Sequence, residues 1–281
     1  MLQKSLKMEI EEALGQEIAT ISTLSAANNA YIYKLVLSDG SDMVAKVADA
    51  GLDVEAFMLS YLKEHSKLPV PEIHYTQPHV LIMDFILADW ETSTSMQKNT
   101  AELLANLHSV KAERFGFEQD TSIGSLHQPN DRMDDWAKFF IEKRLLYMAQ
   151  EALDEEIITT GLMKKIEKLA KKSSSIIKTD VEPSLVHGDV WSGNILSVRG
   201  KVNAFIDPAI YYADPEVELA FMILNSFDRI FFKTYHDISP IREGFFEERC
   251  HIYNIYPLLA RARLFGPSYA RKVERIVDKI L

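Results

Sequence analysis

LVHGDVWSGNILSVRGKVNAFIDPA, residues 185–209, decides how this chain reads. A short apolar strand delivers His187, Gly188 and Asp189 into a loop. Asn194 follows five residues after Asp189, and a hairpin turning at Arg199-Gly200-Lys201 returns the chain to Asp207. Phosphoryl transfer asks for this layout. One carboxylate, Asp189, would orient the acceptor hydroxyl and take its proton. An amide oxygen, Asn194, and a second carboxylate, Asp207, would hold Mg²⁺ against the phosphates. A rigid hairpin brings the last two to one ion. The bland alternative is that His187 and Asp189 merely cap a turn. His-x-Asp-x₄-Asn arises by chance in roughly one or two chains per hundred of this length, but the flanking strand, hairpin and terminal Asp are much harder to obtain by accident.

Working towards the N-terminus, the first 90 residues alternate between β and helical patterns. Residues 8–14 form an amphipathic helix. Residues 18–24 and 31–37 are β-branched and aromatic runs separated by a turn over 25–29, and Asp39-Gly40 announces a hairpin into a third strand, 43–47. Residues 53–64 carry a helical apolar stripe with Asp53 as N-cap, and Pro69 and Pro71 close it. Two further strands are expected over 79–83 and 84–88. Lys46 then lies on the third strand, on the same face as Val44, and Glu55 lies on the next helix. A lysine held by a helix glutamate to reach nucleotide phosphates is the protein-kinase arrangement. Alone the lysine would be an ordinary edge residue. The turn that should cover the phosphates contains no glycine. Ser25 can donate a hydrogen bond and Asn28 can take positive φ, so it can cradle phosphate or serve only as a hairpin turn.

Beyond Trp90 the periodicity is helical, over residues 96–108, 134–152 and 155–172, and again from 215 to the end, interrupted by the strands at 184–187, 195–198 and 202–206. The expected fold class is α+β: a two-lobed, kinase-like chain with a small antiparallel-sheet lobe (1–86) that binds nucleotide and a larger, mainly helical lobe (87–281) for catalysis and substrate. With 41 acidic against 31 basic residues the net charge is −10, which disfavours nucleic acid as a partner. The single cysteine, Cys250, rules out an internal disulfide framework. No apolar run approaches the ~20 residues of a membrane span and no signal-peptide pattern opens the chain, so a cytoplasmic protein without a membrane partner is expected. His108 and His127 have no neighbour at metal-ligand spacing. Asp131, Asp134 and Asp135 precede a helix, where acidic residues favour its dipole.

The segment from 185 to 220 resembles the fructosamine kinase (ketosamine-3-kinase) family, within the aminoglycoside phosphotransferase and protein-kinase-like superfamily. LLANLHSVKAERFGFEQDTSIGSLHQPN (103–130), WAKFFIEKRL (136–145), FFKTYHDISPI (231–241) and RCHIYNIYPLLARARLFGPSY (249–269) are similar to its other sections. The resemblance implies ATP and Mg²⁺ as cofactors, Asp189 as base, Asn194 and Asp207 as metal ligands, and Lys46 with Glu55 as phosphate anchor. It also implies a hinge at Met83, Asp84, Phe85 and Ile86 whose backbone meets adenine. Trp191 would stack on the substrate sugar, a role that suits an aromatic beside a catalytic Asp better than plain packing does. The implied acceptor is a small or protein-bound ketoamine, phosphorylated at its 3-hydroxyl in deglycation repair. A sister small-molecule kinase acting on aminoglycosides or choline, and an inactive nucleotide-binding homologue, are the alternatives. Two departures stand out. The family's nucleotide turn carries glycines, and a histidine is expected at about Arg261, at the substrate end. Asp214 and Glu218 are expected to brace the catalytic loop without touching substrate.

Overall fold

The computed structural model describes residues 3–27, 30–177, 180–225 and 227–281. α1 (Lys4–Leu14) precedes β1 (Ile18–Ala27), β2 (Ala30–Leu37) and β3 (Asp42–Val47). Then come α2 (Leu52–His65), β4 (Ile73–Gln77) and β5 (Val80–Asp84). These strands form an antiparallel sheet in the order β1-β2-β3-β5-β4. The period-2 alternation decides which side chain goes where. Ala45, Val80 and Ile82 face Ile10 of α1, together with Tyr33, Leu35 and Leu37. Val44, Leu81 and Met83 face Leu52, Ala56 and Leu59 of α2. Lys46 shares the Val44 face and is thereby aimed at α2.

Several sequence expectations change here. β4 was not anticipated. Its residues are half-exposed at the sheet edge, so they lack a clean apolar alternation. The strand expected over 84–88 does not form, because β5 ends at Asp84. That carboxylate accepts from the Glu72 backbone N–H at 3.2 Å and lies 2.7 Å from His74 Nε2. Gly51, with φ 89, occupies the N-cap of α2, and Asp53 sits inside the first turn where its charge favours the dipole. Of the turn expected over 25–29, residues 25–27 belong to β1, with Ser25 paired to Ile32, and Asn28 and Asn29 lie outside the described residues.

The chain beyond residue 90 builds a larger core. α3 (Thr94–Leu107) is followed by the small hairpin β6 (Thr121–Ile123) and β7 (Leu126–Gln128). A continuous helical stretch follows, α4 (Trp136–Phe139) and α5 (Tyr147–Asp154) joined through a π-helical segment, Phe140–Leu146. Asp135 caps it by accepting from the Lys138 N–H. α6 (Thr160–Ser173) leads to β8 (Ser184–Val186), which pairs with β11 (Tyr211–Ala213). Between them stands the hairpin of β9 (Ile195–Val198) and β10 (Lys201–Phe205). α7 (Glu216–Leu224), α8 (Arg229–Ile238), a π-helical turn at Phe245–Arg249, α9 (Cys250–Tyr253), α10 (Ile255–Phe265) and α11 (Ser268–Ile280) complete it. Trp136, Phe139, Phe140, Phe205, Phe231 and Phe245 are fully buried in this core. No helix among the described residues is long and apolar enough to cross a membrane.

Candidate active site

β8 and β11 clamp the start of the loop that carries Asp189. The Ala209 N–H donates to His187 O at 2.7 Å. Gly188 takes φ 88, and a Cβ there would stand 2.1 Å from Ala209 O, so only glycine lets the two loop strands approach this closely. Glu218, buried on α7, accepts from the Gly188 N–H at 2.6 Å and the His187 N–H at 3.3 Å, and it meets His108 Nε2 at 2.8 Å. His108 Nδ1 in turn lies 2.7 Å from Tyr235 OH. Glu218 therefore braces the loop as its position suggested, and its carboxyl is held below the usual range because these partners outweigh its burial. His108 is the residue that sequence reasoning missed. Its partners lie more than a hundred residues away and leave no local signal. Asp214 does something else. It accepts from Tyr253 OH at 2.8 Å and from Arg242, joining a buried network in which Arg249 Nε donates to Glu216 at 2.6 Å.

Asn194 Nδ2 donates to both the backbone O and the carboxylate Oδ2 of Asp189, at 2.9 and 3.0 Å. This orients the amide so that its Oδ1 is turned away from the loop. The hairpin then lays Asp207 beside them, with the Ile206 N–H donating to Asn194 O at 3.1 Å. Asp207 has φ 54, a left-handed backbone at a non-glycine residue of the kind that collects at functional sites. From the other lobe Lys46 Nζ donates to Glu55 Oε2 at 2.6 Å and to Asp207 Oδ1 at 2.8 Å. Lys46, Glu55, Asp189, Asn194 and Asp207 thus converge on one cleft.

The electrostatics follow from this crowding. Burial, reinforced by the Asp207 charge, pushes Asp189 up to about 7 against the pull of Arg261 and the Asn194 hydrogen bond. Burial likewise lifts Glu55 to about 7, although Lys46 draws it down. Lys46 is held above its ordinary value, since Glu55 and Asp207 outweigh the cost of burying its charge. Asp207 stays below the carboxylate range because Lys46 more than offsets its burial. Burial alone makes His187 harder to protonate.

Asp207 Oδ2 and Asn194 Oδ1 accept no hydrogen bond among the described residues, and both are hard oxygen donors. That donor set fits Mg²⁺, which takes one or two protein oxygens and completes its shell with phosphate and water. Trp191 is 38% exposed, its indole folded over Gly193, where a Cβ would lie 2.3 Å from the ring. Met83 is buried at the end of β5, while Phe85 is half-buried with Lys34 Nζ 4.3 Å above its ring, and Asp84 and Ile86 are half-buried. Ser25 is exposed in β1. Asn28 lies outside the described residues.

A strand lysine paired to a helix glutamate above a catalytic loop and a carboxylate-bearing hairpin defines a kinase-like phosphotransferase. An ADP-bound aminoglycoside phosphotransferase shares the fold with a TM-score of 0.66, 15% identity, and coverage of 98% of this chain and 97% of that one. The family model for fructosamine kinase matches residues 3–281, and the chain belongs to that family. It is 33% identical over 200 residues to a probable ketoamine kinase of Enterococcus faecium, covering 69% of this chain and 71% of the other. It is 31% identical over 243 residues to the chloroplastic protein-ribulosamine 3-kinase of Arabidopsis thaliana, covering 84% and 73%. A crystal structure assigned to the fructosamine-3-kinases, from Thermobifida fusca, superimposes with a TM-score of 0.89 at 25% identity over 99% of this chain and 98% of that one.

Proposed function

We propose that this chain is an ATP-dependent kinase that transfers the γ-phosphoryl group to the 3-hydroxyl of ketoamine sugars such as fructosamines and ribulosamines. The observation that carries the reading is the convergence of Lys46, Asp189, Asn194 and Asp207 on one cleft within a chain that matches the family along its length. We take residues 1–86 as the nucleotide lobe and 87–281 as the catalytic lobe, with Met83, Asp84, Phe85 and Ile86 as the hinge on which adenine rests and Ser25 and Asn28 under the phosphates.

The chemistry assigned to each residue follows from its surroundings. Asp189 accepts the proton of the attacking hydroxyl. A carboxyl raised to about 7 is a stronger base at neutral pH than an ordinary aspartate. Asn194 holds its carboxylate in one rotamer, which converts proton acceptance into a positioned event. Lys46 releases Asp207 to hold the α- and β-phosphates while Glu55 keeps the ammonium in place. Asn194 and Asp207 would hold Mg²⁺, which supplies charge neutralisation along the transferring phosphoryl group. Trp191 offers the flat apolar face on which a sugar ring can lie. The product, a 3-phosphorylated ketoamine, sheds its amine, so the physiological sense is removal of sugar from glycated amines.

The test is Mg-ATP-dependent phosphorylation of a synthetic fructosamine and a ribulosamine, with the product's phosphate position assigned by phosphorus NMR. A 3-phosphate supports the assignment. No product from either ketoamine, with choline and aminoglycosides also inert, rejects it.

A further inference from the structure

Arg261, on α10, is half-buried and has no anionic partner among the described residues. Its guanidinium lies over the Phe221 ring, 4.7 Å from the centroid, and Nη2 donates to Asn225 Oδ1 at 2.8 Å. Asn225 is itself fixed, because its Nδ2 donates to Phe221 O at 2.8 Å. The plane of the guanidinium is therefore set by two contacts, and both are neutral. Among the described residues no carboxylate comes within ion-pair distance of it. Of the other arginines in this lobe, Arg242, Arg249 and Arg263 are paired with carboxylates and the fully buried Arg144 uses three neutral acceptors. Arg242 and Arg249 engage Asp214 and Glu216, Arg263 engages Glu151 and Glu155, and Arg144 donates to Pro129 O and Asn130 Oδ1.

Its position is toward the chemistry. Gly188, Phe221, Tyr256 and Pro257 border one small gap in the packing, so the Phe221 ring lies close to the residue next to Asp189. Arg261 stands one helical turn beyond Pro257 on the same helix and lies on the Phe221 ring. Its charge is felt at Asp189, where it opposes the upward shift of that carboxyl. A planar fork of N–H donors with its orientation fixed, and with one donor bonded among the described residues, matches the two oxygens of a carboxylate or phosphate. A ketoamine has two ends that can carry such a group, a phosphate on the sugar terminus or a carboxylate on the amine substituent.

We propose that Arg261 binds an anionic group on the acceptor, so that this enzyme selects acidic ketoamines over neutral ones. The proposal rests on the ketoamine kinase reading, and its test separates the two. Two matched pairs are compared in the wild type: N-fructosyl-glycine against N-fructosyl-glycinamide, and a ribulosamine 5-phosphate against the unphosphorylated ribulosamine. At least one acid should exceed its neutral partner in kcat/KM by on the order of tenfold, expressed in KM, and which pair shows it identifies the source of the anion. The ratio should fall towards one in Arg261→Gln and take an intermediate value in Arg261→Lys, which keeps the charge and loses the fork. Equal use of acid and neutral acceptors by the wild type overturns the proposal, with no variant needed. So does a ratio unchanged in Arg261→Gln, or a kcat loss that is the same for acid and neutral acceptors. Failure to phosphorylate any ketoamine, charged or neutral, removes the underlying reading instead.

Discussion

Lys46 Nζ and Asp207 Oδ1 lie 2.8 Å apart although 161 residues separate them, and this contact joins the two halves of the cleft. The ammonium is held between Glu55 and Asp207, so one cation serves two carboxylates. Lys46→Met leaves two neighbouring carboxylates with no cation between them. Breaking an ion pair of this kind strands the remaining charges, at a cost of about 2 kcal/mol once the partial exposure of Asp207 is allowed for. The expected outcome is a lower melting temperature together with a fall of roughly 10² or more in kcat/KM. Thermal denaturation and steady-state kinetics on the same preparation check both.

Asp189→Asn should separate activity from stability in opposite directions. Turnover should drop by roughly 10² or more, because the amide cannot accept the hydroxyl proton. Stability should rise. A carboxyl whose folded value is about 7 binds its proton more tightly folded than unfolded, so the wild type is progressively destabilised as pH rises from its unfolded value of 3.8 through about 7. The neutral amide is spared that cost and can still accept from Asn194. The gain in melting temperature should therefore be small at pH 5 and larger, a few degrees, at pH 8. A stability difference that does not grow with pH would show that Asp189 is not held in its protonated range by the fold.

The same raised value shapes the activity profile. In the ligand-free enzyme the base is half protonated near pH 7, so the rate with both MgATP and acceptor limiting should climb between pH 6 and pH 8 and then level. A profile flat across that interval would mean that the free enzyme already holds Asp189 ionised.

Much of this was legible before any coordinates, for identifiable reasons. The strand, loop and hairpin from Leu185 to Asp207 are local, with each residue's role fixed by its distance along the chain. The alternation that puts Lys46 beside Val44 also predicts that it points at the helix bearing Glu55. What escaped was non-local or weakly patterned. β4 is a half-exposed edge strand whose His74 and Tyr75 mimic a loop, and β11 is three residues long and exists only because β8 is there to pair with it. His108 reads as an isolated histidine because Glu218 and Tyr235 reach it only through the packing of α3 against α7 and α8. Arg261 could be placed near the substrate by resemblance, but its lack of an anionic partner is a property of the packed lobe.

Glu218 makes the bracing of the loop testable. Its carboxylate accepts from two loop amides and from His108, and Glu218→Gln retains the shape but turns one acceptor oxygen into an NH₂ donor. One loop N–H then loses its acceptor, and the remaining charge-assisted bonds, worth about 1.5–3 kcal/mol each, fall to roughly half that. We expect a loss of about 2 kcal/mol in stability and a lower kcat, with KM for ATP little changed, because Glu218 touches His187, Gly188 and His108 and none of the residues proposed to hold the nucleotide. The stability loss should shrink at low pH. Glu218's folded value is depressed, so its contribution is present above its unfolded value of 4.5 and fades as pH falls through the folded one. Urea unfolding at pH 4 and pH 7.5 measures the difference, and equal losses at both would mean that the ionised carboxylate is not what holds the loop.

Trp191 and Gly193 supply the last test, since the indole occupies the space a side chain at Gly193 would need. A Cβ there would stand 2.3 Å from the ring, so Gly193→Ala must push Trp191 off its present seat. If the indole is the platform for the sugar, Trp191→Ala and Gly193→Ala should share one phenotype: KM for the ketoamine raised on the order of tenfold, with ATP affinity nearly unchanged. Were Trp191 only packing the loop, its removal would instead misplace Asp189 and lower kcat at every acceptor concentration. Gly188→Ala serves as the contrast. There the added methyl meets the Ala209 carbonyl at 2.1 Å on a backbone with φ 88, and the loop cannot move without parting β8 from β11. That variant should lose both stability and turnover, whereas the Gly193 variant should lose substrate affinity alone, and kinetics with saturating ketoamine distinguish them.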